Sequence, residues 1–151
     1  MNPSGEIVVI KVGGSLLSLP DLPQRLAAVL EQLADLRPLV VCGGGEAADI
    51  VRRWQQVHNL SDEAAHWLAF RAVGLNEMLL SHLLPQATVA GTRGEIQTAW
   101  TEGRTPILAA EPFIRDEQTR APDPLPHDWS VTSDSIAAWV ARRLNGRRLV
   151  L

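Results

Sequence analysis

Five short runs of the chain are rich in apolar residues, and polar or turn-forming segments separate them. The first run, EIVVIKV, is almost continuously apolar, which is typical of a strand buried on both faces of a parallel sheet. The same pattern, weaker in places, predicts strands over residues 6–12, 38–42, 86–91, 105–110 and 147–151.

The segments between these runs carry apolar residues at helical spacing. They predict helices over residues 21–36, 46–57, 62–84, 94–103 and 133–145. Ser61 suits the N-cap of the third helix, and Gly146 suits the C′ position that ends the last one. Residues 111–128 contain four prolines and several charges, so they predict a long loop that is functional or mobile.

Strands that alternate with helices indicate an α/β fold, a three-layer αβα sandwich on a mostly parallel sheet. The length of 151 residues fits one domain, and we expect a single domain over residues 1–151. Since a core strand normally leads into a turn, the final run RRLVL indicates either a short strand or a missing continuation.

Composition excludes several classes of function. The net charge is -3 and the arginines are scattered among acids, which argues against nucleic acid or an anionic membrane surface as the main partner. The single cysteine, Cys42, excludes a disulfide framework and a multi-cysteine metal site. We find no signal peptide and no apolar run of membrane-spanning length, so we expect a cytoplasmic protein.

Two strands are each followed by glycines and then by a helical pattern. VVIKVGGSLL places Lys11, the only lysine of the chain, just before Gly13, Gly14 and Ser15, and the second strand runs into Gly43, Gly44 and Gly45. Glycines at the carboxyl ends of parallel strands let ligand oxygens approach backbone N–H groups, and the following helix adds a positive dipole end. With the ammonium of Lys11, this pattern suits a phosphate. The alternative is a pair of tight turns in which the glycines only satisfy backbone geometry.

A third polar cluster lies at the start of the last predicted helix, in HDWSVTSDSIAAWVARRL. Its members are Ser130, Thr132, Ser133, Asp134 and Ser135. Capping by Thr132 or Ser133, with Asp134 at the positive helix end, explains part of this cluster. Because capping needs only one such group, the others are free to bind a polar substrate or a metal, and Asp134 is a candidate partner for the ammonium of Lys11.

These three segments together resemble the amino acid kinase family, which includes aspartate, acetylglutamate and uridylate kinases. The resemblance rests on IKVGGSLL, VVCGGGEAADIVR and SVTSDSIAAWVA, whose order and spacing agree over nearly the whole chain. The form LPHDWSVTSDSIAAW is most similar to the small archaeal-type kinases that phosphorylate an aminomethylfuran phosphate in methanofuran synthesis. Bacterial relatives of that branch accompany tetrahydromethanopterin-linked one-carbon metabolism. P-loop, GxGxxG and GxSxG motifs are absent from the sequence.

The resemblance implies a role for each motif. Lys11 and Asp134 would be catalytic: Lys11 would contact the transferring phosphoryl group, and Asp134 would orient Lys11 and a second catalytic lysine. Gly13, Gly14 and Ser15 would cradle the nucleotide phosphates. The acceptor-side residues would be Gly43, Gly44, Gly45, Thr132 and Ser133. ATP and the magnesium ion (Mg2+) that accompanies it would be the cofactors, no protein metal site is expected, and the partners would be a small-molecule substrate and a second copy in a homodimer.

The sequence also departs from this family. Its members use a C-terminal portion to hold the adenine and to supply a second lysine, and neither is found among these residues. We therefore expect a C-terminally truncated kinase fold carrying the acceptor-binding portion, with impaired phosphotransfer to a small polar metabolite. The alternative is a non-catalytic ligand-binding or assembly module that retains the fold.

Isolated histidines and tryptophans give weaker signals. His58, His66, His82 and His127 lack a paired ligand spacing, so we expect solvent-facing helix positions, although His66 and Arg71 are candidates to face an acceptor pocket. Core packing is the expected role of Trp129 over that of a site wall. The remaining tryptophans lie on helical stripes and indicate core or interface positions. Cys42 is expected to be inert in a buried strand.

Overall fold

The computed structural model describes residues 5–151. Its strands are β1 (Ile7–Val12), β2 (Arg37–Cys42), β3 (Ala87–Ala90), β4 (Thr105–Leu108) and β5 (Arg148–Val150). Its α-helices are α1 (Leu22–Gln32), α2 (Gly45–His58), α3 (Asp62–Leu83), α4 (Arg93–Thr101), α5 (Ala110–Gln118) and α6 (Ser133–Arg143). A 3-10 helical turn spans Gly14–Ser18.

The strands form one sheet in the order β3-β4-β2-β1-β5, and every neighbouring pair is parallel. Val9 of β1 is in register with Leu39 of β2 on one side and with Leu149 of β5 on the other. Because all strands run the same way, their carboxyl ends meet at one edge of the sheet, where open α/β sheets bind ligands.

Two hydrophobic cores cover the two faces of this sheet. Val8 and Ile10 of β1 pack toward α1 and α3, whereas Val9 between them packs toward α4, α5 and α6. This alternation along a strand buried on both faces explains its continuous apolar run. The predicted three-layer αβα sandwich is confirmed. Within residues 5–151, no helix combines the length and the apolar character that crossing a membrane requires.

The predicted loop over residues 111–128 is wrong in its first half. Helix α5 occupies Ala110–Gln118 and buries Phe113 and Ile114 against the sheet. Pro112 lies in the first turn of this helix, where a missing N–H costs nothing. The other three prolines come after the helix, so only the later part of the segment lacks regular secondary structure.

The predicted cap is confirmed at the start of α3, and the predicted cap at the end of α6 is wrong. The hydroxyl of Ser61 accepts a hydrogen bond from the Ala64 N–H at 3.2 Å, as predicted for an N-cap. The C′ position after α6 is taken by Asn145, with φ 56°, and not by the predicted Gly146. The Gly146 N–H donates to the Ala141 carbonyl at 2.7 Å, which completes a Schellman motif one residue earlier than expected.

The two glycine junctions lead into different secondary structure. Helix α2 begins at Gly45, directly after the second strand, as the pattern predicts. After the first strand, however, the 3-10 turn intervenes and α1 begins only at Leu22. The first junction therefore presents a short 3-10 turn, and not the start of a full helix, at the sheet edge.

Candidate functional site

Lys11 and Asp134 form an ion pair at the carboxyl edge of the sheet. Lys11 lies near the end of β1, Asp134 lies in the first turn of α6, and the Lys11 Nζ to Asp134 Oδ1 distance is 3.0 Å. The side chain of Lys11 is 18% exposed and that of Asp134 is 55% exposed. The ammonium is thus anchored by one carboxylate while part of it faces solvent. The contact expected from the sequence is present, whereas the catalytic roles of the two residues stay predictions.

The two glycine loops touch each other through their backbones. A Cβ on Gly14 would lie 2.2 Å from the Gly45 nitrogen, and Gly45 itself has φ +51°. The N–H of Gly43 donates to the Val12 carbonyl at 2.8 Å and joins the second loop to β1. Backbone geometry alone therefore requires glycine at Gly14 and Gly45. Gly13 differs, because the nearest atom to a Cβ there would be the Lys11 Nζ, at an ordinary 3.6 Å.

The start of α6 lies beside the second glycine loop. Thr132 is the N-cap, and its hydroxyl accepts a hydrogen bond from the Ser135 N–H at 3.2 Å, so capping explains this residue. The Ser133 Oγ lies 3.3 Å from the position that a Cβ on Gly43 would occupy. The unpaired N–H groups of this helix end therefore lie close to the loop that is expected to hold an acceptor.

Asn76 supports the second glycine loop, a role that was not predicted from the sequence. Its side chain is 8% exposed, and its Nδ2 donates to the Gly43 carbonyl at 2.8 Å and to the Gly44 carbonyl at 2.9 Å. The signal was present in the pattern, because Asn76 lies between Val73 and Leu80 on the buried stripe of α3. A polar side chain on a core-facing stripe requires a buried hydrogen-bond partner.

Glu77, the next residue of α3, is also buried at this edge. Its Oε1 accepts a hydrogen bond from the Ala110 N–H at 3.0 Å, at the start of α5. Burial raises the pKa of this carboxyl group to about 7, although that hydrogen bond lowers it in part.

Burial, with a smaller contribution from Glu77, also raises the pKa of the Cys42 thiol to about 12. Cys42 is thus an unreactive packing residue, as expected from the sequence.

A cavity of about 370 Å³ opens next to this edge. It lies between α2, α3 and the segment that leads into α6. Its backbone and hydroxyl groups come from Gly44, Gly45, Thr132 and Ser133. The other lining residues are Cys42, Ala48, Asp49, Arg52, His66, Ala69, Phe70, Val73, Asp128, Trp129, Val131 and Ile136. Of the predicted site residues, Gly44, Gly45, Thr132 and Ser133 line the cavity, as does the candidate His66, while the pair of Lys11 and Asp134 lies beside it.

Trp129 is a wall of this cavity, and the expected role in core packing is wrong. Its indole is half-buried, and its Nε1 donates to the Gln55 Oε1 on α2. The Arg52 guanidinium carbon lies 4.5 Å from the indole ring centroid, and Arg52 also pairs with Asp49 at 2.6 Å. Two contacts with α2 thereby fix the indole over the cavity.

His66 also lines the cavity, and the solvent-facing position expected for it is wrong. The residue is only 5% exposed, and its ring stacks on that of His127 at a centroid distance of 4.8 Å. Burial lowers the pKa of His66, so the imidazole is neutral near pH 7. Its buried Nε2 has no hydrogen-bond partner among residues 5–151. Arg71 does not join this site, because it is exposed and pairs with Glu111 at 2.7 Å.

Asp128 contributes a carboxylate to the same cavity. Its Oδ1 accepts hydrogen bonds from the Ser130 N–H at 2.8 Å and from the Ser130 hydroxyl. These two bonds lower the pKa of Asp128, which keeps the carboxylate ionised. The cavity therefore combines aromatic walls, the carboxylates of Asp128 and Asp49, the arginine that pairs with Asp49, and two helix N-termini.

The other tryptophans divide between core and surface. Trp100 is buried, and its Nε1 donates to the Pro38 carbonyl at 2.7 Å. Trp139 is buried too, and its Nε1 donates to the Asp123 carbonyl at 2.8 Å. Trp54, however, is 48% exposed on α2, so core packing does not explain it.

Comparison with known proteins agrees with this geometry. The sequence profile of the amino acid kinase family matches residues 6–151. The [5-(aminomethyl)furan-3-yl]methyl phosphate kinase of Methanocaldococcus jannaschii is 24% identical over 148 residues, which cover 95% of this chain and 63% of that protein. The crystal structure of uridylate kinase from Archaeoglobus fulgidus has a TM-score of 0.69 and 23% identity, covering 94% of this chain and 61% of that one.

The chain thus spans somewhat less than two thirds of the length of both relatives. The likeness to the solved uridylate kinase establishes the fold, and the profile match covers nearly all residues of the chain. This protein belongs to the amino acid kinase family.

Proposed function

We propose that the protein transfers a phosphoryl group from ATP to the phosphate group of a small metabolite. The observation that supports this proposal most directly is the ion pair of Lys11 with Asp134, 3.0 Å long, beside two glycine loops in contact. An anchored ammonium beside glycine loops at a sheet edge is an arrangement that suits a transferring phosphoryl group.

Lys11 would stabilise the charge that develops on the equatorial oxygens during transfer. ATP supplies the phosphoryl group, and magnesium neutralises charge on its oxygens. Asp134 accepts a hydrogen bond from one N–H of the Lys11 ammonium, and the other N–H donors are left for phosphate oxygens. A compact ammonium suits this role because it acts as a point charge, whereas a guanidinium has a different reach and shape.

The nucleotide phosphates would lie against Gly13, Gly14 and Ser15. Gly13 is the position whose Cβ would meet the Lys11 Nζ without steric conflict, so the ammonium lies directly over this loop. Residues 5–151 contain no group of three or more His, Cys, Asp or Glu side chains arranged for a metal ion. We therefore expect magnesium to be held mainly by the nucleotide and by water.

The acceptor would occupy the cavity of about 370 Å³, which falls within the usual range for small-molecule sites. Its phosphate would face the N-terminal ends of α2 and α6, at Gly44, Gly45, Thr132 and Ser133. A phosphate oxygen is already deprotonated near neutral pH, so the acceptor needs no general base. In the transfer, this oxygen forms a bond to the γ-phosphorus, the bond to the β-phosphate oxygen breaks, and ADP leaves.

The name of the M. jannaschii relative suggests the acceptor, an aminomethylfuran methyl phosphate. We propose the same class here, which would place the protein in methanofuran or tetrahydromethanopterin-linked one-carbon metabolism. The non-catalytic alternative is not favoured, because both similar proteins carry kinase names. A cytoplasmic location stays a prediction.

The test is phosphotransfer measured by ³¹P NMR, with ATP, magnesium and [5-(aminomethyl)furan-3-yl]methyl phosphate. We expect a new diphosphate ester and one ADP per ester formed. Lys11→Ala should lower the rate at least about 100-fold, as loss of one charge-stabilising donor does. Arg25→Ala removes an equally positive but exposed side chain of α1 and should leave the rate unchanged. Absence of Mg-ATP binding, or unaltered transfer by Lys11→Ala, would refute the proposal.

We also propose a homodimer. Helices α2 and α3 both carry exposed apolar side chains, among them Trp54, Val57, Leu75 and Met78 at 48%, 65%, 68% and 51% exposure. Exposed apolar surface of this kind is typical of protein interfaces. Light scattering should give the mass of two chains, and Leu75→Glu should give that of one. A monomeric wild-type protein would contradict the proposal.

A further inference from the structure

The cavity contains a carboxylate, that of Asp128, which forms no salt bridge within the described part of the chain. Both hydrogen bonds to Asp128 use its Oδ1, from the N–H and the hydroxyl of Ser130. Within residues 5–151, no lysine, arginine or histidine forms a salt bridge with Asp128. The second carboxylate oxygen, Oδ2, is therefore available to a ligand.

Arg52 and His127 do not neutralise this carboxylate, because each of them is paired with another acid. Arg52, the one arginine among the described residues that lines the cavity, is committed to Asp49 and to the face of Trp129. His127, which stacks behind His66, lies 3.4 Å from the Glu63 Oε1. The cavity thus keeps one carboxylate in excess near Asp128.

The Nε2 of His66 supplies a second polar atom without a hydrogen-bond partner in the same cavity. The residue lines this cavity, it is only 5% exposed, and its Nε2 makes no hydrogen bond to any residue over 5–151. A buried polar atom without a partner requires an explanation, and a bound ligand or water is the usual one. A neutral imidazole has a ring nitrogen that accepts a hydrogen bond, which suits an N–H donor.

The remaining walls near these two groups are aromatic. Trp129 is the next residue after Asp128 in the chain, and the Phe70 and His66 ring centroids lie 4.9 Å apart. Aromatic faces combined with a carboxylate are the surroundings that bind an organic ammonium group, through cation–π attraction and a charge-assisted hydrogen bond.

From this arrangement we infer that Asp128 and His66 select an acceptor that carries a primary ammonium group as well as a phosphate. The ammonium donates to the Asp128 Oδ2 and to the His66 ring, while the phosphate faces the N-terminal ends of α2 and α6. The inference rests on the proposed function for the phosphate half of the ligand. It assigns Asp128 as a specificity-determining residue.

The test compares two ligands that differ only in the ammonium group. Calorimetry measures the affinity of the chain for [5-(aminomethyl)furan-3-yl]methyl phosphate and for (5-methylfuran-3-yl)methyl phosphate. We expect the wild-type protein to prefer the amine by about 10-fold or more, as one charged hydrogen bond implies. Equal affinity for the two ligands would overturn the inference and leave the proposed function intact. If neither ligand binds, the proposed acceptor class fails, and the inference fails with it.

Two variants then test whether Asp128 causes the preference for the amine. Asp128→Asn keeps an Oδ1 for the Ser130 bonds and removes the charge, so it should cut the preference to within about 3-fold while the methyl compound binds as before. Asp123→Asn makes the same charge change in the same segment, at a residue paired with Arg142 outside the cavity, and should keep the preference. Retention of the preference by Asp128→Asn would refute the role of Asp128. Thermal unfolding checks that both variants are folded.

Discussion

Replacing Glu77 by glutamine should change how the stability of the protein depends on pH. Glu77 is 5% exposed and its Oε1 accepts the Ala110 N–H at 3.0 Å, a bond that the glutamine oxygen can also accept. The substitution therefore preserves shape and hydrogen bonding, and it removes only the titrating proton. Burial is the main reason that the carboxyl pKa is raised.

The size of the effect can be calculated from the pKa. In the folded protein the pKa of Glu77 is about 7, against 4.5 for an ordinary glutamate. A group that binds its proton more tightly in the folded chain stabilises that chain at low pH, and this stabilisation is lost as the pH rises from about 4.5 to about 7. A shift of about 2.5 units at 1.36 kcal/mol per unit corresponds to about 3 kcal/mol. Glu77→Gln should thus match the wild type near pH 4 and exceed its stability near pH 8 by up to about 3 kcal/mol.

The assay is urea unfolding of both proteins at several pH values from 4 to 8. The difference between the two free energies of unfolding isolates Glu77, because the lowered pKa values of Glu117 and His66 act equally in both proteins. Glu102→Gln, at an exposed position, is the matched control and should give parallel curves. A Glu77→Gln curve parallel to the wild-type curve would refute the reasoning.

Three further substitutions test the packing around the site by urea unfolding. Asn76→Ala leaves the buried Gly43 carbonyl without this donor, while the Gly44 carbonyl keeps the Ala48 N–H, and should cost about 1–3 kcal/mol of stability; a loss below about 0.5 kcal/mol would contradict this account. Gly14→Ala places a Cβ against backbone and should cost about 3 kcal/mol, whereas Gly13→Ala, its matched control, should cost under about 1 kcal/mol; equal losses would contradict the difference in packing. Trp100→Phe removes one buried hydrogen bond and should cost about 1–2 kcal/mol, and an unchanged stability would show that the bond contributes nothing.

Features set by local periodicity were predictable from the sequence. The run EIVVIKV predicted a strand buried on both faces, and β1 packs its alternate residues into the two cores. The ion pair between Lys11 and Asp134 was also expected, although the two residues are far apart in sequence. In a parallel α/β fold, the end of a strand and the first turn of a helix that follows a strand both lie at the carboxyl edge of the sheet. A lysine at the first position and an acid at the second are therefore placed on the same edge.

Features set by tertiary packing were not predictable in the same way. The prolines of residues 111–128 suggested a loop, but Phe113 and Ile114 had a core to cover and α5 formed after all. The positions predicted for His66 and Trp129 were also wrong, because both residues line a cavity that the sequence pattern does not reveal. Whether one face of a helix or loop meets solvent or a cavity wall depends on elements distant in sequence, here α2, α3 and the start of α6.

The contact between the Gly14 and Gly45 backbones also constrains how new specificities can evolve. When side chains form a contact, a larger residue on one side can be accommodated by a smaller one on the other. Two peptide backbones in contact have no side chains that could change size together, so the spacing between the first and the second glycine loop is fixed. We expect divergence among related proteins to concentrate on Phe70, Asp128 and Trp129, the cavity walls that can change while the two glycine loops keep their separation.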